Sequence, residues 1–152
     1  MKWTKNICLA GVIFWFLSGT GVAEESAYVG QEVCKECHEA QYKNFTAYSR
    51  KARSFDSIKK MEKNLTPEEY QTCFECHTTG YGKTGGFVSE EKTPGLKNTG
   101  CEVCHGPGRR HAESQDPDDI IAKVETEKCL VCHNSDRVGD FNFKPLMFGG
   151  AH

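Results

Sequence analysis

The pentapeptide Cys101-Glu-Val-Cys-His105 is one of four copies of a Cys-x-x-Cys-His pattern in a chain of 152 residues. The other copies are Cys34-Lys-Glu-Cys-His38, Cys73-Phe-Glu-Cys-His77 and Cys129-Leu-Val-Cys-His133. Together the motifs use eight of the nine cysteines, and the ninth, Cys8, lies in an N-terminal apolar run. This regularity indicates that the same chemistry is repeated four times.

Each motif has the spacing of a covalent attachment site for c-type haem. Cysteines three residues apart lie on one side of a helical turn and can form thioethers with the haem vinyl groups, while the adjacent histidine reaches the iron. The cofactors predicted are therefore four c-type haems. The predicted thioether residues are Cys34, Cys37, Cys73, Cys76, Cys101, Cys104, Cys129 and Cys132, and the predicted proximal ligands are His38, His77, His105 and His133.

Zinc binding and disulfide bonding are the alternative uses of paired cysteines. Neither requires a histidine directly after every second cysteine, yet all four motifs have one. The pattern therefore favours haem over both alternatives.

The N-terminus predicts a secretory signal peptide over residues 1–23. Lys2 and Lys5 precede an apolar run from Ile7 to Leu17, and small residues with Gly21 and Ala23 follow as a cleavage site. Because the run is shorter than the roughly 20 residues that span a bilayer, no stable membrane insertion is expected after cleavage. The mature domain would be residues 24–152, in the periplasm or outside the cell.

The composition of that domain points to an unusual core. Leu, Ile, Val and Phe make up 21 of its 129 residues, a fraction that normally predicts disorder. The haems would supply the missing apolar volume. The predicted fold class is mostly α, a small multihaem c-type cytochrome with helices and long loops wrapped around four haems.

Local signals place some of the elements. Residues 33–63 lack Gly and Pro and predict one or two helices, and Thr66-Pro-Glu-Glu69 predicts the start of a short helix. Asp116-Pro-Asp-Asp119 repeats that start signal before the fourth motif. The glycine-rich residues 78–100 predict a loop, with a hairpin at Gly85-Gly86 as one option.

The histidine count limits the axial ligands. Four haems with two histidines each need eight, but the chain has six, so His111 and His152 are the only histidines left for distal positions. We expect both to ligate. The remaining positions would fall to methionine, lysine, another residue, a neighbouring subunit or nothing, and Met61 and Met147 are the only methionines after residue 23.

Around the motifs the sequence resembles the tetrahaem cytochrome c-554 family of multihaem cytochromes. The similarity extends from about Tyr28 to His133. The segments that carry it are Tyr28-Val-Gly30, Cys73-Phe-Glu-Cys-His-Thr-Thr-Gly-Tyr-Gly82 with Gly85-Gly-Phe87, Thr93-Pro-Gly-Leu96, and Gly100-Cys-Glu-Val-Cys-His-Gly-Pro-Gly108.

The resemblance implies a ligand map. His111 would pair with His38 on the first haem and His152 with His105 on the third, and His77 would be alone on the second iron. The family's fourth haem takes a histidine from the helix after the first motif, but residues 48–55 contain none. That haem would be open or would use Lys51, Tyr48 or Met61.

The charge pattern bears on partners. With 19 Lys+Arg against 21 Asp+Glu, the chain lacks the basic excess of a nucleic-acid-binding protein. Residues 35–63 carry eight basic and four acidic side chains, which could dock an acidic redox partner protein or neutralise haem propionates. Arg109 and Arg110, expected in a loop beside the third motif, are the best propionate candidates.

Three functions are compatible with this sequence. The preferred one is a periplasmic or extracellular electron carrier, because no other domain or catalytic constellation is visible. The second is a subunit of an extracellular cytochrome filament, in which self-assembly lets His152 serve a neighbouring subunit. The third is an enzyme that reduces a small nitrogen oxide at an open haem, so enzymatic activity is left undecided.

Overall fold

A computed structural model describes residues 27–135 of the chain. Over that range the backbone forms short α-helices joined by 3₁₀ turns and loops, without a strand, so the predicted all-helical class is confirmed. The predicted signal peptide, Met147 and His152 lie outside the described residues. The helices are α1 Gln31–Lys35, α2 Glu39–Tyr48, α3 Ser54–Lys59, α4 Pro67–Thr72, α5 Phe74–His77, α6 Cys101–His105, α7 Arg109–Ser114 and α8 Glu127–Leu130, and the 3₁₀ turns are Arg50–Arg53, Glu62–Asn64, Pro94–Leu96 and Pro117–Asp119.

One aromatic cluster forms the protein's own core, around the second motif. The ring of Phe74, the residue between Cys73 and Glu75, is its centre. Ring centroids of Tyr70, Tyr81 and Phe87 lie 5.0, 5.3 and 5.3 Å from that of Phe74, all in edge-to-face contact. In contrast, α1, α7 and α8 contribute no buried residue. Apolar side chains therefore fix the second motif in place, while the other three motifs have little apolar packing of their own.

The prediction of one or two helices over residues 33–63 was wrong, because the segment is divided into shorter elements. The chain breaks at His38, whose φ and ψ are −113° and 48°, and again at Ser49, which is extended. Ser49 is buried, and its hydroxyl accepts a hydrogen bond from the Lys51 N–H, so a local cap competes with helix continuation. Three α-helices and two 3₁₀ turns result.

The capped helix at Thr66 is confirmed, since Thr66 and Glu69 form a reciprocal capping box at the start of α4. The matching signal at Asp116 gives only the 3₁₀ turn Pro117–Asp119, with the Asp116 side chain accepting from the Asp118 N–H. The chain then becomes extended at Ile120, and the Ile121 N–H donates to the His105 carbonyl at 3.0 Å. That contact returns the chain to the third motif and prevents a longer helix.

The glycine-rich segment is a loop as predicted, but the optional hairpin does not form, since no strand occurs within residues 27–135. Its ends are joined by hydrogen bonds from Thr79 N–H to Leu96 O and from Phe87 N–H to Thr79 O, both at 2.9 Å. A Cβ at Gly86 would lie 1.8 Å from the Gly80 carbonyl oxygen, so this closure requires glycine.

Candidate functional site

The four motifs share a single helical turn that presents both cysteines and the histidine. In the third motif this turn is helix α6 itself, Cys101–His105. In the other three the histidine N–H donates to the carbonyl of the first cysteine, as in an α-helix. The donor–acceptor distances are 2.8 Å from His38 to Cys34, 3.1 Å from His77 to Cys73 and 2.9 Å from His133 to Cys129.

The cysteines of different motifs meet in pairs. The thiols of Cys34 and Cys101 lie close enough to shift each other's pKa, and the Cys76 thiol lies close enough to shift the pKa of Cys132. Cys104 also lies close enough to Cys129 for the two thiols to interact electrostatically. All eight cysteines of the described residues carry free thiols. These contacts put the motifs in the spatial order first, third, fourth, second.

The thiol contacts perturb the cysteine pKa values. The interaction between the two thiols raises the pKa of Cys34 and lowers that of Cys101. Burial, followed by the hydrogen bond with Cys76, raises the pKa of Cys132 to about 12. Burial also raises the pKa of Cys104. Seven of the eight motif cysteines are thus partly buried, and Cys37 is exposed.

Three histidines have the ring orientation that a metal ligand needs. The Nδ1 atoms of His77, His105 and His111 lie 3.0, 2.7 and 2.9 Å from the backbone carbonyl oxygens of Ser54, Ile121 and Asp116. A carbonyl oxygen only accepts, so Nδ1 carries the proton and Nε2 keeps its lone pair for a metal. Such outer hydrogen bonds are typical of histidines that bind metals.

His111 on α7 faces His38 of the first motif. Their ring centroids are 6.2 Å apart and their planes differ by 22°. Two imidazoles that bind the same metal ion from opposite sides, each with a nitrogen–metal distance of about 2 Å, would have ring centroids roughly 6 Å apart. Ordinary aromatic pairs cover the same range of separation, so the Nδ1 hydrogen bond of His111 is the more specific feature. The two cysteines and the histidine of each motif, together with His111 opposite His38, form a set of donors that fits haem c.

The three residues proposed for the fourth haem differ in burial. Tyr48 and Met61 are 75% and 51% exposed. Lys51 is partly buried and interacts electrostatically with Cys104, Cys129 and Cys132. It also contributes, after burial, to lowering the pKa of the His133 imidazole.

Sequence reasoning missed the role of Glu102, the residue after Cys101. Its carboxylate is 3% exposed and accepts three backbone hydrogen bonds. The donors are the N–H groups of Val29 at 2.9 Å, Gly30 at 2.8 Å and Gly108 at 2.8 Å. Glu102 thus joins the segment before the first motif to the third motif. Glu102 belongs to the Gly100–Gly108 segment that carries the family resemblance, but the sequence does not indicate which residues its carboxylate binds.

Arg109 and Arg110 lie at the start of α7 and not in a loop, which corrects the prediction. The helix begins directly after Gly108, whose N–H is held by Glu102. Arg110 makes a 2.6 Å ion pair with Asp119, and Arg109 makes a 3.6 Å ion pair with Glu113. Within the described residues, no helix is long and apolar enough to cross a membrane.

Comparisons with known proteins agree on one family. The family model described as cytochrome c554 and c-prime matches residues 33–106. The chain is 35% identical over 114 residues to the cytochrome c-554 of Nitrosomonas europaea, an alignment that covers 66% of this chain and 47% of the relative. The chain thus spans about half the length of this curated relative.

The fold is also similar to a solved structure, the reduced state of cytochrome c554 from Nitrosomonas europaea. The TM-score is 0.56, the identity is 24%, and the match covers 82% of this chain and 83% of the other.

Proposed function

This chain belongs to the cytochrome c-554 family, whose members are haem-based electron-transfer cytochromes, and on that premise we propose that it is a tetrahaem electron carrier. One haem is attached at each of the four motifs. The thioether bonds come from the eight motif cysteines, and the proximal ligands are His38, His77, His105 and His133. When bound, each haem supplies a one-electron ferric/ferrous couple.

The order of the motifs is the observation that carries this proposal. Cysteine thiols of the first and third motifs interact electrostatically, as do those of the second and fourth motifs and those of Cys104 and Cys129. A compact domain of 129 residues has a radius of gyration of roughly 14 Å, so four attached groups in it are near neighbours. The chain's own residues thereby hold the redox groups in one unbroken series, which is what a carrier requires.

His111 is the distal ligand of the first haem in this proposal. Its support is the 6.2 Å separation from His38 and the Nδ1 hydrogen bond to Asp116, which leaves Nε2 available. The Asp116 carbonyl therefore acts as a positioning group for the ring. His152, outside the described residues, remains the candidate for the third haem.

The proposal of a c-type cytochrome also implies a cellular location and a class of partner. Cleavage of residues 1–23 would release the protein into the periplasm or to the outside, where c-type haem is attached. Redox proteins are its partners, and the basic side chains of residues 35–63 are the candidate docking surface. In that surface Lys43 and Lys59 already pair with acidic neighbours, at 2.7 Å to Glu39 and 3.0 Å to Glu90.

A second function, reduction of a small ligand at an open haem, is favoured by one observation at His77. The His77 ring is held by Ser54 and approached by the Ser57 hydroxyl at 3.4 Å. Among residues 27–135 it has no partner ring of the kind that His38 has in His111. An iron bound by His77 alone would keep one position for an external ligand, which such a reaction requires.

Electron exchange within the monomer tests the carrier proposal. The measurement is proton NMR of the haem methyl groups in samples of the holoprotein reduced stepwise from fully oxidised to fully reduced. Rapid exchange within one molecule averages each haem over the microstates of a given oxidation stage, so each methyl group should show intermediate signals at the partly reduced stages. Only the fully oxidised and fully reduced positions, with no intermediate signals at low protein concentration, would contradict the carrier function.

A further inference from the structure

We propose that Glu102 is a positioning residue for the histidine pair His38 and His111, and that it holds the two rings at the separation that lets both bind one iron. This role rests on the proposed haem attachment and on His111 as the distal ligand of the first haem. It adds the group that fixes the distance and the angle between the two rings.

The Glu102 carboxylate binds the N-terminal ends of two helices. One is α1, whose N-cap is Gly30, and the other is α7, whose N-cap is Gly108. Oε2 accepts from the Gly30 N–H at 2.8 Å, while Oε1 accepts from the Gly108 N–H at 2.8 Å and from the Val29 N–H at 2.9 Å. Because a single carboxyl group makes all three bonds, the two helix starts cannot separate without breaking at least one of them.

Both histidines lie a short way along the chain from these fixed points. His111 is three residues after Gly108, inside α7. His38 is eight residues after Gly30, directly before α2. A displacement of either helix start therefore moves one ring relative to the other. The rings lie 6.2 Å apart, and their planes differ by 22°.

Other contacts remove the remaining freedom of α7. The Arg109 N–H donates to the Ala27 carbonyl at 3.1 Å, so a further bond ties the start of α7 to the segment before α1. Near its other end, the Nδ1 atom of His111 lies 2.9 Å from the Asp116 carbonyl oxygen, which orients the ring. The position of the His111 ring therefore follows the position of α7, which the Glu102 carboxylate sets.

The Glu102 carboxylate fits closely against the start of α7. A Cβ at Gly108 would lie 3.2 Å from Glu102 Oε1 and 3.4 Å from Val29 Cγ2. Glu102 is 3% exposed, so water cannot replace a lost acceptor without a change in packing. Since an unpaired buried N–H is costly, a helix start that loses this acceptor should shift towards solvent or another acceptor.

Electron paramagnetic resonance of the oxidised holoprotein tests the proposal, because the largest g value of a low-spin haem depends on the angle between its two histidine planes. The signal of the first haem is the one that His111→Ala removes. Glu102→Gln replaces one acceptor oxygen with an NH₂ group and should shift the largest g value of that same signal. Glu113→Gln makes the same replacement at an exposed position of α7, and should leave every signal in place.

Two further variants separate positioning from stability. Thr66→Ala removes the cap of α4, outside the contacts of α1 and α7, and should lower stability without a shift of the signal. Gly108→Ala keeps Glu102 but pushes its carboxylate away from the start of α7, and should shift the signal. Where Glu102→Gln does not mature, Gly108→Ala decides alone. A first-haem signal with wild-type g values in these variants would show that Glu102 only stabilises the fold, and would overturn the proposal.

The intact mass of each variant separates this role from haem attachment itself. Fewer than four haem masses on the wild-type chain would count against the proposed function. Four haem masses with an unchanged spectrum in His111→Ala would leave the carrier function in place and would overturn the positioning role of Glu102.

Discussion

His111 is the residue whose replacement is expected to have the most specific effect. If its Nε2 completes the coordination opposite His38, His111→Ala should turn one low-spin ferric haem into a high-spin haem. Glu113→Ala, an exposed position on the same helix, is the control and should keep every signal. EPR of the oxidised protein counts the two spin states. An unchanged set of haem signals in His111→Ala would show that the 6.2 Å pair is only an aromatic contact.

Glu102 should contribute to stability through its three backbone hydrogen bonds. Glu102→Gln replaces one carboxylate oxygen with an NH₂ group, which cannot accept from a backbone N–H. Leaving a buried donor unpaired costs about 1–3 kcal/mol. Chemical denaturation followed by circular dichroism would measure this cost, with Glu113→Gln as the exposed control. If both variants unfold at the wild-type denaturant concentration, Glu102 does not join the two segments as described.

The limits of sequence reasoning are clearest at these residues. The motif cysteines and histidines were predictable because five adjacent residues specify the whole attachment chemistry. The partners of Glu102, Val29 and Gly30, are more than seventy positions away in sequence and therefore carry no local signal. Lys51 was identified as one of three options, and its partial burial depends on tertiary packing.

At the scale of the elements, local chemistry decided which predictions held. The α4 start was predictable because Thr66, Pro67 and Glu69 are adjacent and their capping geometry needs nothing else. The break at Ser49 was not predictable, since it combines a local cap with the burial of Ser49, and the break at His38 falls in a stretch with no Gly or Pro to signal it. The 3₁₀ turn after Asp116 stops early because Ile121 pairs with His105.

The capping box should be a measurable part of α4. Thr66→Ala removes the hydroxyl that accepts from the Glu69 N–H at 3.3 Å. Loss of an N-cap of this kind costs about 1 kcal/mol of stability. Thr72→Ala in the same helix removes only a hydroxyl that donates to the Glu69 carbonyl, and is the matched control. Denaturation curves of the two variants should differ, and equal stability would mean that packing alone forms α4.

At the scale of the whole molecule, the arrangement of motifs explains why so short a chain can fold with so few aliphatic residues. The aromatic cluster around Phe74 stabilises one motif, and hydrogen bonds and cysteine contacts connect the rest to it. The folded state of this chain is therefore expected to depend on the attached groups, as in other proteins whose cofactor completes the core.

Carbon monoxide should bind to the reduced protein at one haem first, the one held by His77. The reason is that six histidines cannot fill eight axial positions, and the ligand map implied by the family resemblance leaves His77 alone on its iron. A titration followed at the Soret band should show a spectral change in the wild type and a larger one in His111→Ala, where a second position opens. No change in the wild-type monomer would mean that another residue closes this site, and would remove the small-ligand reductase as a candidate function.

The intact mass of the matured protein tests the central claim, one haem at each motif, most directly. After acid denaturation only covalently attached groups remain. The polypeptide starting at Glu24 should carry an excess of four haem masses, and peptide mapping should locate one on each Cys-x-x-Cys-His segment. An excess of three haem masses or fewer in fully matured protein would contradict the account.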